Sequence, residues 1–157
     1  MRTEAYQKAL WDIRNLAKTG QKLSPLGNAE TFPAVEARFV RFIVLSTADG
    51  AEPCIDELAI YGPGNSKNLA VGGKPTASSL LPGYPIHQIE HLIDGELGND
   101  HSWISNEPGK GWAQIELPAR MAISRITWGR DAPGKVDDRT PSTYRLEVSD
   151  DGENWKT

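Results

Sequence analysis

The stretch "ARFVRFIVLST", residues 37–47, has a period of two: Val40, Phe42 and Val44 fall on one face, and Phe39, Arg41 and Ile43 on the other. Successive side chains of an extended chain point to opposite faces, so this spacing predicts a β-strand with one side in a core. The β-branched and aromatic residues that fill it favour the same state. "CIDELAIYG", "WAQIELP", "ISRITWG" and "TYRLEVS" read as further strands. Between them lie "TADGAEP", "GPGNSK", "NEPGKG", "RDAPGKVDDRTPS" and "DDGENW", each dominated by turn formers. Short strands separated by such turns, with no helical period between them, predict a mainly β protein: an antiparallel β-sandwich or barrel.

A chain of 157 residues suffices for one ordinary domain and a short extra element. The one cysteine, Cys54, permits no intrachain disulfide, so the fold rests on its core. Lys and Arg number 17 against 21 Asp and Glu, a formal charge of -4, with both signs interspersed. That balance lacks the basic footprint of nucleic-acid binding. No apolar run approaches the roughly 20 residues of a membrane span, and the first 20 residues lack the unbroken apolar stretch of a signal peptide. The expectation is a soluble chain with no export signal of its own. Tyr6, Leu10, Ile13 and Ala17 recur at helical spacing between a capping Thr3 and a terminating Gly20, which predicts an amphipathic α-helix over residues 1–20 with a packing role. Residues 21–36, rich in Pro, Gly, Asn and Ser, read as a linker.

Several segments together carry a family resemblance. "NLAVGGKPTASS", "HLIDGELGNDHSWIS", "GWAQIELPARMAISRITWGR" and "STYRLEVSDDGENWKT" resemble, in order, the opening, the Asp-Gly turn with its downstream Trp, the central strands and the S-x-DG-x-x-W hairpin of the discoidin domain. This is the coagulation-factor type C family, galactose-binding-like and similar to family 32 carbohydrate-binding modules. "ARFVRFIV" and "CIDELAIYG" resemble its closing strands. The resemblance covers residues 37–157 and implies a discoidin-like jelly roll: closing strands in residues 37–61, placed before an opening half in residues 68–157. Such an order arises by circular permutation through the "GPGNSK" link, or in a fragment holding the tail of one unit and the head of the next. The fragment is the favoured origin and a sandwich completed within this chain the favoured structure, because an unpaired closing strand would expose backbone groups and an apolar face.

The resemblance also implies sites. In many relatives a loop after the Asp-Gly turn holds calcium; here the ligands become the Leu92 carbonyl, Asp94, Asn99 or Asp100, Ser102 and Glu57, hard oxygen donors suited to that ion. The alternative is that Asp94 caps a turn with Gly95 and Glu57 is a solvated strand residue. Ligand binding falls on loops at one end of the sandwich, which hold Tyr84, His87, Asn106, Arg130, Asp131 and Arg139, an aromatic face and polar groups that suit a sugar. Trp103, Trp112 and Trp128 read as packing residues. Leu80 and Leu81 alone resemble a membrane-binding spike, and the basic ring that would favour anionic lipid is weak.

"HQIEH", residues 87–91, matches the H-x-x-E-H spacing of zinc peptidases. Pro85 before it and "LIDG" after it leave room for only one or two helical turns. The duller reading has Ile89 and Leu92 anchoring the turn while His87 and His91 sit at the rim. No nucleophile elbow, phosphate loop or Cys-His pair is visible, so the chain is not read as an enzyme. Three readings follow: a non-catalytic carbohydrate-binding module, a structural or protein-interaction module attached to a larger extracytoplasmic enzyme, and a zinc hydrolase using His87 and His91. The family is mostly extracytoplasmic, which implies export as part of a larger multidomain protein.

Overall fold

The period-two segment is the second half of a 20-residue strand, β1 (Asn28–Thr47). Val40, Phe42 and Val44 are all buried, as the alternation requires. In the computed structural model, which describes residues 27–131 and 137–156, β1 runs antiparallel to a second long strand, β6 (Gly111–Gly129). Short strands β2 (Cys54–Ile55), β3 (Glu57–Tyr61), β4 (Lys74–Ala77) and β5 (Trp103–Ile104) lie between them in sequence, and β7 (Pro141–Ser149) follows. The helix expected over residues 1–20 lies outside the described residues, as do residues 21–26 of the expected linker. Within the described residues the helical elements are two 3-10 turns, Ile89–Ile93 and Asn99–His101.

The β1–β6 ribbon bends once and so supplies two layers. Phe39 to Val44 pair with Glu116 to Gly111, and Asn28 to Ala37 pair with Trp128 to Met121. Between these legs the register skips from Ala37↔Met121 to Phe39↔Glu116, leaving Leu117 to Arg120 unmatched. An uneven count of this kind kinks a ribbon. On the first leg β7 pairs with β1 and β4 with β6; on the second, β3 pairs with β6. β2 and β5 form a separate two-stranded sheet.

Side chains from both legs meet in one core. Phe42 stacks on Tyr144 of β7 with centroids 4.7 Å apart, and both rings meet Trp128 of the second leg edge-on at 5.3 Å. Ala113, Ile115, Ile123, Ile126, Leu58, Ile60, Leu146 and Val148 complete the filling. The result is the mainly β, antiparallel sandwich that the strand pattern predicts. On the outer face Arg41 lies between Trp112 and Trp155, 4.3 and 4.0 Å from the two rings. Trp103 and Trp128 are buried, whereas Trp112 covers sheet surface.

One boundary differs from expectation. Residues 28–36, assigned to the linker, are strand. Phe32 and Val35 are both buried although three residues apart, because the register shifts between Thr31 and Val35 around Pro33. Proline lacks the N–H a ladder needs, and the bulge it imposes hides the period of two.

Phe42 touches both other rings of the aromatic cluster from a fully buried position. Phe42→Ala is therefore expected to lower unfolding free energy by about 3–5 kcal/mol, measured by urea denaturation, with Ile43→Ala on the outer face costing much less.

Candidate functional site

Turn-forming loops collect at one end of the sandwich and are sewn together through the backbone. Leu81 donates to the Ile104 carbonyl at 2.9 Å, Ser105 to Pro53 at 3.1 Å, Gly109 to Ala51 at 3.0 Å and Cys54 to Arg139 at 3.0 Å. The Glu107 carboxylate accepts the hydroxyls of Ser78 and Ser79 at 2.6 and 3.1 Å, and the Asn106 N–H donates to Ser79 Oγ at 2.8 Å. The rim is thereby held in one shape, which a preformed binding surface requires. Leu80, Tyr84 and Ile86 stand out from it, Tyr84 being 53% exposed. A shallow cleft of about 350 Å³ runs along this loop, lined by Leu80 to Pro85 and Gln88. Gly83 has φ 86°, a left-handed turn position that leads into Tyr84 and Pro85.

The six residues expected to meet a ligand divide into two groups. Tyr84 and Asn106 are exposed on the rim. Arg139 is partly exposed, with its guanidinium held by Glu52 Oε2 at 2.7 Å. His87, Arg130 and Asp131 lie inside: all three are buried, 5%, 2% and 1% exposed. Arg130 turns inward because its donors find acceptors there: the Asp138 carbonyl at 2.6 Å, Asp138 Oδ1 at 2.7 Å and Asn99 Oδ1 at 2.9 Å. A guanidinium can be buried only with such bonds. His87 Nδ1 meets Ser102 Oγ at 2.9 Å, and burial lowers its basicity. His87 therefore sits inside rather than at the rim, while Ile89 and Leu92 do pack on the core as expected. Both histidines of the H-x-x-E-H pair meet Ser102, His87 at its hydroxyl and His91 at its carbonyl, but among the described residues it is His101 and Asp94, not His87, that group with His91 as possible ligands.

The expected cation ligands are also divided. Glu57 and Asp94 come to the same turn: Glu57 Oε2 accepts the Gly95 N–H at 2.9 Å, and Asp94 Oδ1 accepts that of Glu96 at 2.8 Å. Gly95, with φ 79°, allows the turn. Asn99 Oδ1 is taken by Arg130, and Ser102 Oγ donates to the Asn99 carbonyl at 2.7 Å while meeting His87. Asp100 is exposed on the second 3-10 turn, and the Leu92 side chain is buried. Calcium prefers a shell of six or more oxygens, and of the expected donors Glu57 and Asp94 are the two that share this turn. Glu57 is nonetheless unusual. It is buried, its Oε1 has no partner among the described residues, and burial pushes its carboxyl up to about 8 against the pull of the Gly95 N–H, with Asp94 and Asp56 pushing the same way as burial.

His101, the third histidine of the chain, has its ring between Asp94 Oδ2 at 3.2 Å and Glu96 Oε2 at 2.9 Å. The "DGELGNDH" loop holds four charged or titratable residues, but only its fold brings three of them, Asp94, Glu96 and His101, together. Cys54 is buried and its thiol pushed up to about 11 by desolvation, which disfavours the nucleophilic thiolate. No helix among the described residues is long and apolar enough to cross a membrane.

Comparison with known families matches residues 74–157, from β4 to the last hairpin, to the F5/8 type C domain. No curated protein matches the chain, and no solved structure does.

Two outcomes follow from the buried polar groups. Arg130→Ala leaves Asn99 and Asp138 without their donor and is expected to lower stability by about 2 kcal/mol, read by urea denaturation. For Glu57 the unfolded carboxyl titrates near 4.5 and the folded one at about 8. Between those values the folded chain holds a proton that the unfolded chain has lost, so stability falls as pH rises through the window and levels off above it. Denaturation at pH 5 and pH 8 in the presence of chelator should show this fall, and Glu57→Gln should reduce it.

Proposed function

Because this chain belongs to the F5/8 type C domain family, whose domains are typically non-catalytic carbohydrate- or protein-binding modules, we propose that it recognises a glycan through the loops at one end of its sandwich. Tyr84 carries this reading. Its ring is exposed beside a shallow cleft, on a loop fixed to β5 by the Leu81 bond and to the core by Ile89 and Leu92. An aromatic face suits the C–H surface of a sugar ring, and amides nearby suit its hydroxyls. Gln88, which lines the cleft, and Asn106 on the adjoining loop offer those amides. Arg130, tied up inside, takes no part.

Leu80 and Ile86 favour a second reading. They are 39% and 46% exposed on the same loop, and apolar side chains grouped on a rigid rim also fit a protein partner. In either case the module acts outside the cytoplasm as one part of a larger multidomain protein.

A glycan panel titrated by calorimetry, with NMR shift mapping, separates the readings. The expected result is binding in the millimolar range or tighter with shifts centred on residues 80–88. Tyr84→Ala should weaken it several-fold, on the order of 1 kcal/mol, and leave the melting temperature unchanged because the ring is exposed. Absence of any glycan binding at millimolar concentration would remove the sugar reading in favour of the protein partner.

A further inference from the structure

His91 lies in the first 3-10 turn, Asp94 caps that turn, and His101 ends the second. The loop between the two turns folds back so that one ligand atom from each residue lies within 4.8 Å of the other two. In a tetrahedral site with bonds of about 2.0 Å, ligands stand about 3.3 Å apart. Rotation of side chains can close the difference, since those of His101 and Asp94 are 39% and 26% exposed.

The orientation of the two rings is more telling than their proximity. A metal-ligating histidine usually donates one ring N–H to a carboxylate or carbonyl, which fixes the tautomer and leaves the other nitrogen for the ion. His101 has Nε2 on Glu96 Oε2 at 2.9 Å and Nδ1 toward Asp94 at 3.2 Å. His91 has Nδ1 on the Ser102 carbonyl at 3.4 Å, which leaves Nε2 free. The ring centroids are 5.3 Å apart. Both outer partners are therefore in place, a carboxylate for one ring and a carbonyl for the other.

We propose that His91 Nε2, Asp94 and His101 Nδ1 bind a divalent transition-metal ion of the zinc class, with a fourth position open to solvent. Two imidazoles and one carboxylate suit zinc, cobalt or nickel, whereas calcium and magnesium prefer oxygen donors throughout. Asp94, an oxygen donor in the calcium set that the family resemblance implies, here faces nitrogen. The bound ion ties the two 3-10 turns together across the Gly95–Gly98 loop. This site is independent of the glycan reading and lies on other residues.

The test uses the full chain stripped of metal with chelator and then titrated with zinc, cobalt and calcium chlorides. Zinc should bind at one equivalent with micromolar or tighter affinity, cobalt should give visible absorption bands of a low-coordinate nitrogen site, and calcium should bind at least tenfold more weakly. His91→Ala and His101→Ala should each weaken zinc at least tenfold, with metal-free melting curves like the parent's, and Glu90→Gln should leave it unchanged. If an alanine variant fails to fold, His101→Gln and the cobalt spectrum of the parent decide. Absence of saturable zinc binding below millimolar, a preference for calcium, or equal zinc affinity in the double variant H91A/H101A overturns the proposal, and His101 is then an ion-pair partner of Asp94 and Glu96 only.

Discussion

Everything else in the molecule depends on the pairing of β1 with β6. These two strands form one bent ribbon, and the four unmatched residues at Leu117 to Arg120 let it turn from one layer to the other. Because both legs belong to the same ribbon, the layers are positioned by backbone hydrogen bonds before any side chain packs. The Phe42, Tyr144 and Trp128 cluster then closes the space between them. Removing β1 would strip β7 of its ladder partner and leave β6 paired on one side only, with β4 on the first leg and β3 on the second.

The loop end follows from the same constraint. β1, β6 and β7 deliver their connections to one end, where backbone bonds between loops take the place of a regular sheet. Arg130 is drawn in to satisfy Asp138 and Asn99, which removes a cation from the surface and holds the 99–101 turn in place. The loop surface outside presents Leu80, Tyr84 and Ile86.

The Asp94 turn shows how a local motif acquires a second partner. Its own geometry needs only Gly95 and the Asp94 carboxylate. Glu57 reaches it from β3, and His91 and His101 from the two 3-10 turns, so that acids and imidazoles share a small volume. The raised Glu57 carboxyl reflects first its burial, with the nearby Asp94 and Asp56 adding to it.

The sequence by itself determined the strand character, the inward faces at Val40, Phe42 and Val44, the turn at Asp94-Gly95 and the family to which residues 74–157 belong. These are properties of periodicity and of residues whose backbone preference is local, and they survive whatever surrounds them. Residues 28–36 were illegible because a bulge at Pro33 interrupts the period. Only the tertiary structure decided that Arg130, Asp131 and His87 turn inward and that His101 faces Asp94. A polar side chain goes where its hydrogen-bonding groups are satisfied at least cost, and the partners that settle this lie 8 to 31 residues away for Arg130 and 15 away for His87, distances over which sequence carries no record of direction.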